Sequence, residues 1–177
     1  MENPVLNAIS GRRSNRAYKQ AQVSKDKLDA VLIAAGQAPS ARNAQPWHFS
    51  VVQNAGALKE FNAEVSKNLG QDVGDIFYAA PTVIFIAANV NGPTPRWARL
   101  DCGIAVQTIA LAAHSLGLGT VILGMPEAAF AGPRGDYFNK LLKFPDKYEF
   151  AIAIAIGEAA DTKAAHPVEP DIITYVD

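Results

Sequence analysis

The sequence predicts a protein of mixed α and β class, and three observations carry that prediction. Leu28, Val31, Leu32 and Ala35 recur at i, i+3, i+4 and i+7, the apolar spacing of an amphipathic helix. Residues 82–88 form a near-continuous apolar run, as expected of a strand covered on both faces. Ala151, Ala153 and Ala155 alternate with Ile152, Ile154 and Ile156, which is the two-residue period of a strand. Helices and strands interleave at irregular spacing, so the pattern leaves the sheet topology open.

Taken in order, Asn3 is placed to cap a first helix with Pro4 at its first position and Gly11 at its end. Ser24 caps a second helix, Val23 and Leu28 form its hydrophobic staple, and Gly36 stops it. Trp47 to Val52 reads as a strand with Phe49 and Val51 on one face. A third helix carries Leu58, Phe61, Val65 and Leu69 along one stripe. The longest helix candidate runs from about Trp97 to Leu116. Between Cys102 and Ala113 only Gln107 and Thr108 interrupt its apolar or small residues. A helix apolar all round is expected to be buried on all sides, as the central core helix or within an obligate subunit interface. Val121 to Leu123 reads as a short strand, Tyr137 to Lys143 as a short helix and Glu149 to Ile156 as a strand. In that last strand the alanine face should admit a closely packed helix while the isoleucine face supplies bulk. Residues 158–170 are polar and proline-punctuated, and residues 172–176 turn strand-like, as if to pack on something distant such as a partner subunit.

At 177 residues the chain is expected to be one domain, 1–177, large enough for a core without staples. The 49% hydrophobic content is globular rather than disordered. A lone cysteine, Cys102, excludes an intramolecular disulfide and a cysteine-based zinc cluster. No basic and apolar leader opens the sequence and no run approaches the roughly 20 apolar residues of a membrane span. The expectation is a cytoplasmic protein without a membrane partner.

Familiar catalytic patterns are missing. Gly117-Leu-Gly119 follows a helix and precedes a strand, the reverse of a dinucleotide loop, and reads as helix termination. There is no Walker sequence and no nucleophile elbow. His48, His114 and His166 show no ligand spacing, so no metal site is expected. His114 reads as a satisfied core residue and Cys102 as a small hydrophobe. No side chain stands out as a catalytic acid, base or nucleophile.

The informative stretch is Ser10-Gly-Arg-Arg-Ser-Asn-Arg16, with three arginines and two serines in seven residues. Six of the 16 Lys and Arg residues precede position 28, although the whole chain carries a net charge of −1. A local cationic pocket on a near-neutral protein suits one small anion better than nucleic acid, which needs an extended basic face. Arginine offers planar paired donors to phosphate, and serine adds a short hydroxyl donor.

A second segment, Ala38-Pro-Ser-Ala-Arg-Asn-Ala-Gln-Pro-Trp-His-Phe49, joins it. Together with Arg12-Arg13-Ser14-x-Arg16, the helix pattern Asp101-x-Gly-x-Ala-x-Gln107 and Ile156-Gly157, it resembles the FMN-dependent nitroreductase family in the same order along nearly the whole chain. The resemblance implies an α+β fold, a mixed sheet flanked by helices, in an intertwined homodimer with FMN at the subunit interface. It implies an NAD(P)H oxidoreductase in which the flavin carries the hydride, so that no catalytic side chain is needed. NADH or NADPH would be the donor, a nitroaromatic or quinone-like molecule the acceptor, and the kinetics ping-pong. A flavin carrier or sensor without turnover, or a same-fold dehalogenase or flavin-fragmenting enzyme, is the alternative.

Position by position, the resemblance implies that Arg12 and Ser14 bind the FMN phosphate. Arg13 would lie against the flavin mostly through its backbone, and Arg16 beside the N1 and C2 carbonyl edge. Pro39, Ser40 and Asn43 match a loop that packs on the flavin from the other subunit, its shape set by Gln45, Pro46 and Trp47. Leu123 and Gly124 match the loop beside flavin N5. Two departures stand out. Where many relatives carry Lys-x-Arg in the C-terminal arm, this chain has Lys163-Ala-Ala-His166, so His166, or less readily Lys163, takes over the phosphate contact. Leu123 replaces an acidic residue of some relatives, and the chain is too short to build much of a substrate lid.

Overall fold

The computed structural model describes residues 3–167 and 169–176, so residues 1–2, 168 and 177 of the expected domain lie outside the described residues. Along them run α1 (Pro4–Gly11), α2 (Lys25–Gly36), β1 (Trp47–Val52), α3 (Ala55–Leu69), β2 (Thr82–Asn89), α4 (Pro95–Ser115), β3 (Gly119–Leu123), α5 (Glu127–Phe130), α6 (Gly135–Leu141) and β4 (Tyr148–Gly157). Single 3-10 turns occur at Ala41–Asn43 and Pro170–Ile172.

The strands form one sheet in the order β1-β2-β4-β3, with every neighbouring pair antiparallel. Where a mixed sheet was expected, the parallel element among the described residues is a single bridge from Ser14 to Thr120. That bridge lays the arginine-rich segment along the outer edge of β3, covering backbone groups that an edge strand would otherwise leave open.

Helices cover both faces, giving three layers. On one face Ile84, Ile86, Ile154 and Ile156 pack against Val31 and Ala35 of α2 and Cys102, Val106 and Ile109 of α4. On the other, Phe85, Phe150, Ala153 and Ala155 meet Phe61 and Val65 of α3, Phe138 of α6 and Phe77. The expectation for β4 is therefore inverted: the long helix sits on the isoleucine face. The alanine face instead makes room for aromatic rings, with Phe61 centred 4.7 Å from Phe85 and 4.2 Å from Phe138. Interiors fill to constant density, so small residues on a sheet are matched by large ones above it. A bulge adjusts the phase. Ile86 pairs with Ile152 and Ala87 with Phe150, which leaves Ala151 as the extra residue and places Phe150 on the aromatic side.

Local signals account for most element ends. The Asn3 side chain accepts from the N–H groups of Val5 (2.9 Å) and Leu6 (3.1 Å), as its position predicts. Ser24 occupies the corresponding place before α2 without a side-chain cap bond, and the start is held instead by Val23 and Leu28 in the core. After α4, Gly117 at φ 76° donates to His114 O (3.0 Å) and Leu118 donates to Ala113 O (2.9 Å), the paired bonds of a left-handed glycine stop.

Within one chain α4 is buried on one side only: Trp97, Leu100 and Ile104, at helical spacing, are 44%, 58% and 36% exposed, so of the two expectations for this helix the core helix of one chain is corrected and the interface is left open. Other expectations are corrected as well. Leu69 is exposed, while Glu64 is buried under α3 and bonded at 3.2 Å by Arg134 Nη1. Phe49 is half-buried and Val51 exposed. His114 is half-buried where α1 crosses α4, against Gly11, rather than in the core. Residues 173–176 form no strand; they follow the last 3-10 turn and are exposed.

Candidate cofactor cleft

The N-terminal segment and the C-terminal arm zip together beside β3. Asn15 N–H donates to Thr120 O (2.9 Å), Lys19 N–H to Glu158 O (2.9 Å) and Ala160 N–H to Ala17 O (2.9 Å). Side chains extend the zip. Asn15 Nδ2 donates to Asp161 Oδ1 (2.9 Å), Arg16 N–H donates to Asp161 Oδ2 (3.0 Å), and Tyr18 Oη–H donates to Asn15 O (2.8 Å). The Arg16 backbone bond, followed by the Asn15 amide, holds the Asp161 carboxyl below its ordinary pKa. Close packing is required here, because a Cβ on Gly119 would stand 2.8 Å from both Asn15 Oδ1 and Ala159 Cβ.

Where the two segments diverge they enclose a cleft of about 500 Å³ lined by Arg12, Arg13, Ser14, Arg16, Lys163 and His166. Six residues singled out in two separate stretches of sequence are thus brought to one place. Their roles divide. Arg13 turns its guanidinium back into the protein: Nη1 donates to Ser10 O (2.6 Å) and Arg12 O (2.7 Å), and Nε donates to Lys163 O (3.1 Å). It staples the arm in place. Among the described residues the guanidinium groups of Arg12 and Arg16 and the hydroxyl of Ser14 form no protein hydrogen bond; Arg16 lies only over the Tyr78 ring, 5.9 Å from its centroid. Unneutralised cations and a free hydroxyl facing one cavity are a receptor for a compact anion such as a phosphate monoester.

Pro39, Ser40 and Asn43 do not line this cleft. They belong to a tight loop in which Arg42, Asn43 and Gln45 all have positive φ, between 45° and 54°. Such backbone strain persists only where the surroundings over-determine it. Ser40 Oγ accepts from Gln45 N–H (2.9 Å), and the Ala41 N–H is shared by both oxygens of buried Asp101 on α4, at 3.2 and 3.3 Å. Leu123 and Gly124 close β3; Leu123 is buried with the aromatic core, whereas a Cβ on Gly124 would meet nothing within 4 Å. Asn15, Asp101 and Asp161 are the supporting residues that spacing did not reveal, since their partners lie 60 to 146 residues away.

Elsewhere the chemistry is quiet. Burial pushes the Cys102 thiol up to about 12, and its sulfur sits 3.8 Å from Ala87 O, as expected of a small core residue. Among the described residues no cluster of His, Cys, Asp and Glu could hold a metal, and no helix is long and apolar enough to cross a membrane. In a groove of about 630 Å³ between α3 and residues 72–81, Asn62 Oδ1 accepts from Ile76 N–H (2.9 Å) and Asp75 from Phe77 N–H (2.9 Å).

Fold and cleft together define an α+β domain whose polar site fits a small phosphorylated ligand. Residues 9–158 match the Nitroreductase family, and the chain belongs to that family. A Methanothermobacter thermautotrophicus protein, provisionally named NADH dehydrogenase/NAD(P)H nitroreductase, is 40% identical over 171 residues, 96% of this chain and 85% of its own. The FMN reductase [NAD(P)H] of Bacillus subtilis is 30% identical across 95% of this chain and 71% of its own. Among solved structures, a Desulfitobacterium hafniense nitroreductase with bound FMN superposes with a TM-score of 0.92 at 37% identity, covering 100% of both chains.

Proposed function

We propose that this chain is an FMN-dependent NAD(P)H oxidoreductase, one FMN-binding domain acting as a homodimer, that reduces nitroaromatic, quinone-like or similar small acceptors by ping-pong kinetics. The observation that carries the reading is the set of unpaired donors at Arg12, Ser14 and Arg16 in one cleft of a nitroreductase fold. When bound, FMN would supply reversible hydride-level redox chemistry, which accounts for the lack of a catalytic acid, base or nucleophile.

The protein's part is binding, orientation and electrostatics. Arg12 and Ser14 would hold the phosphate. Arg16 places a positive charge where it favours an anionic reduced ring. Arg13, Asn15 and Asp161 keep those donors aimed by fixing the arm against β3. Gly124 leaves open space at the end of β3 for a hydride donor or acceptor. Pro39, Ser40 and Asn43 would complete the site from a second copy. Their loop is anchored at Asp101, whereas the segment leading into Arg12 packs on His114, about 20 Å further along α4 at 1.5 Å per residue. Apolar stripes on α4 and the exposed residues 172–176 give that second copy a surface to cover.

The test is an anaerobic visible spectrum of the purified protein before and after NADH or NADPH. The reading expects a yellow protein that bleaches on reductant and regains colour with a quinone or nitroaromatic. Replacing both Arg12 and Arg16 with Ala removes two charge-assisted contacts of about 1.5–3 kcal/mol each, weakening FMN binding at least about 100-fold. A yellow double variant with full FMN content would sink the cleft assignment.

A further inference from the structure

His166 lies in the wall of the cleft, on the arm that Arg13 and Asp161 hold against β3. Its Nδ1 is 2.9 Å from Pro167 O. A carbonyl oxygen can only accept, so Nδ1 carries the hydrogen and the neutral ring leaves Nε2 bare. A phosphate monoester offers acceptors only, and a bare nitrogen lone pair repels it. Protonation adds Nε2–H and turns the same ring into a charged donor.

We propose that His166 makes FMN retention pH-dependent: with Nδ1 committed to Pro167, the ring binds the FMN phosphate through Nε2 only when protonated. This rests on the FMN reading above. The other ionisable groups lining the cleft are Arg12, Arg13 and Arg16 from the N-terminal segment and Lys163 from the arm. Asp161, beside Lys163, is held ionised by its two donors. α1 contributes only uncharged Ile9 and Ser10.

The sign follows from linkage. Phosphate binding and protonation of His166 favour each other, so the extra affinity is present at low pH and is lost as pH rises through the range where an imidazole gives up its proton. FMN phosphate is itself mostly dianionic above about pH 6, so its own titration lies below the window.

The experiment is titration of the apoprotein with FMN and with riboflavin between pH 6.5 and 8.5, read by flavin fluorescence, for the wild type, His166→Gln and Lys163→Gln. For the wild type the FMN Kd is expected to rise about tenfold across the range while the riboflavin Kd stays flat. His166→Gln, which keeps a neutral donor, should flatten the FMN profile, and Lys163→Gln should weaken binding equally at each pH. Parallel wild-type and His166→Gln profiles, or the same slope for riboflavin, would overturn the proposal while leaving the FMN site standing. Failure of FMN to bind the wild type at any pH would remove both.

Discussion

In the proposed site, Gly124 is the residue whose substitution is expected to separate binding from turnover. It follows the last residue of β3, has no positive φ, and a Cβ built there meets nothing within 4 Å. Gly124→Val is therefore expected to fold normally and to keep its FMN, because the phosphate donors lie in another segment. The branched side chain occupies space that a donor carbon needs in order to approach within about 3–3.5 Å of the reacting atom. Turnover should fall at least about tenfold, measured as kcat with FMN content held equal; unchanged kcat would move the reacting face away from the end of β3. Asp101 illustrates the opposite kind of residue. It touches no part of the cleft, yet its buried carboxylate fixes the start of a loop with three left-handed residues.

At the scale of elements, the pairing of a small-residue strand face with an aromatic layer decides stability. Phe61 of α3 is fully buried and reaches Phe85 of β2, Phe130 of α5 and Phe138 of α6, so one ring ties three elements to the sheet. The alanines of β4 beneath cannot collapse into the space it would vacate. Phe61→Ala should cost about 3–5 kcal/mol, a fall in Tm of roughly 6–20 °C by thermal denaturation. A loss under 1 kcal/mol would mean that the aromatic layer repacks. On the opposite face α4 does two jobs. Its inner side closes the isoleucine layer, and its buried Asp101 holds the loop of Ser40 and Asn43.

For the whole molecule, the proposed homodimer would cover apolar surface that one chain leaves exposed, and the proposed site would need it to bind the cofactor. Leu100 and Ile104 on α4, Ile172 and Ile173 on the arm and Val5 on α1 are all at least 36% exposed. Carboxylates on such a stripe leave the folded chain unstrained but resist burial against a second copy. Leu100→Glu with Ile104→Glu should give a folded monomer by sedimentation, with unchanged circular dichroism and lost FMN. A double variant that remains dimeric and yellow would place the interface elsewhere.

Much of this protein was legible in the residues alone, where the information is local. Pro4 after Asn3, the glycine after α4 and the apolar run of β2 each act within a few residues, and the folded chain places those elements where the patterns put them. The Arg12 to Arg16 cluster and its family resemblance named the cleft, because charge density is visible in one dimension. What only the tertiary structure decided depends on partners distant in sequence. It gave the Arg13 guanidinium a partner in Lys163 O, supplied Asp161 as the anchor of Arg16, and fixed the His166 ring by Pro167. It also set which face of β4 receives α4, since alternating alanine and isoleucine specify two faces but not what covers them. That choice belongs to packing, where the volumes of both layers must be filled at once.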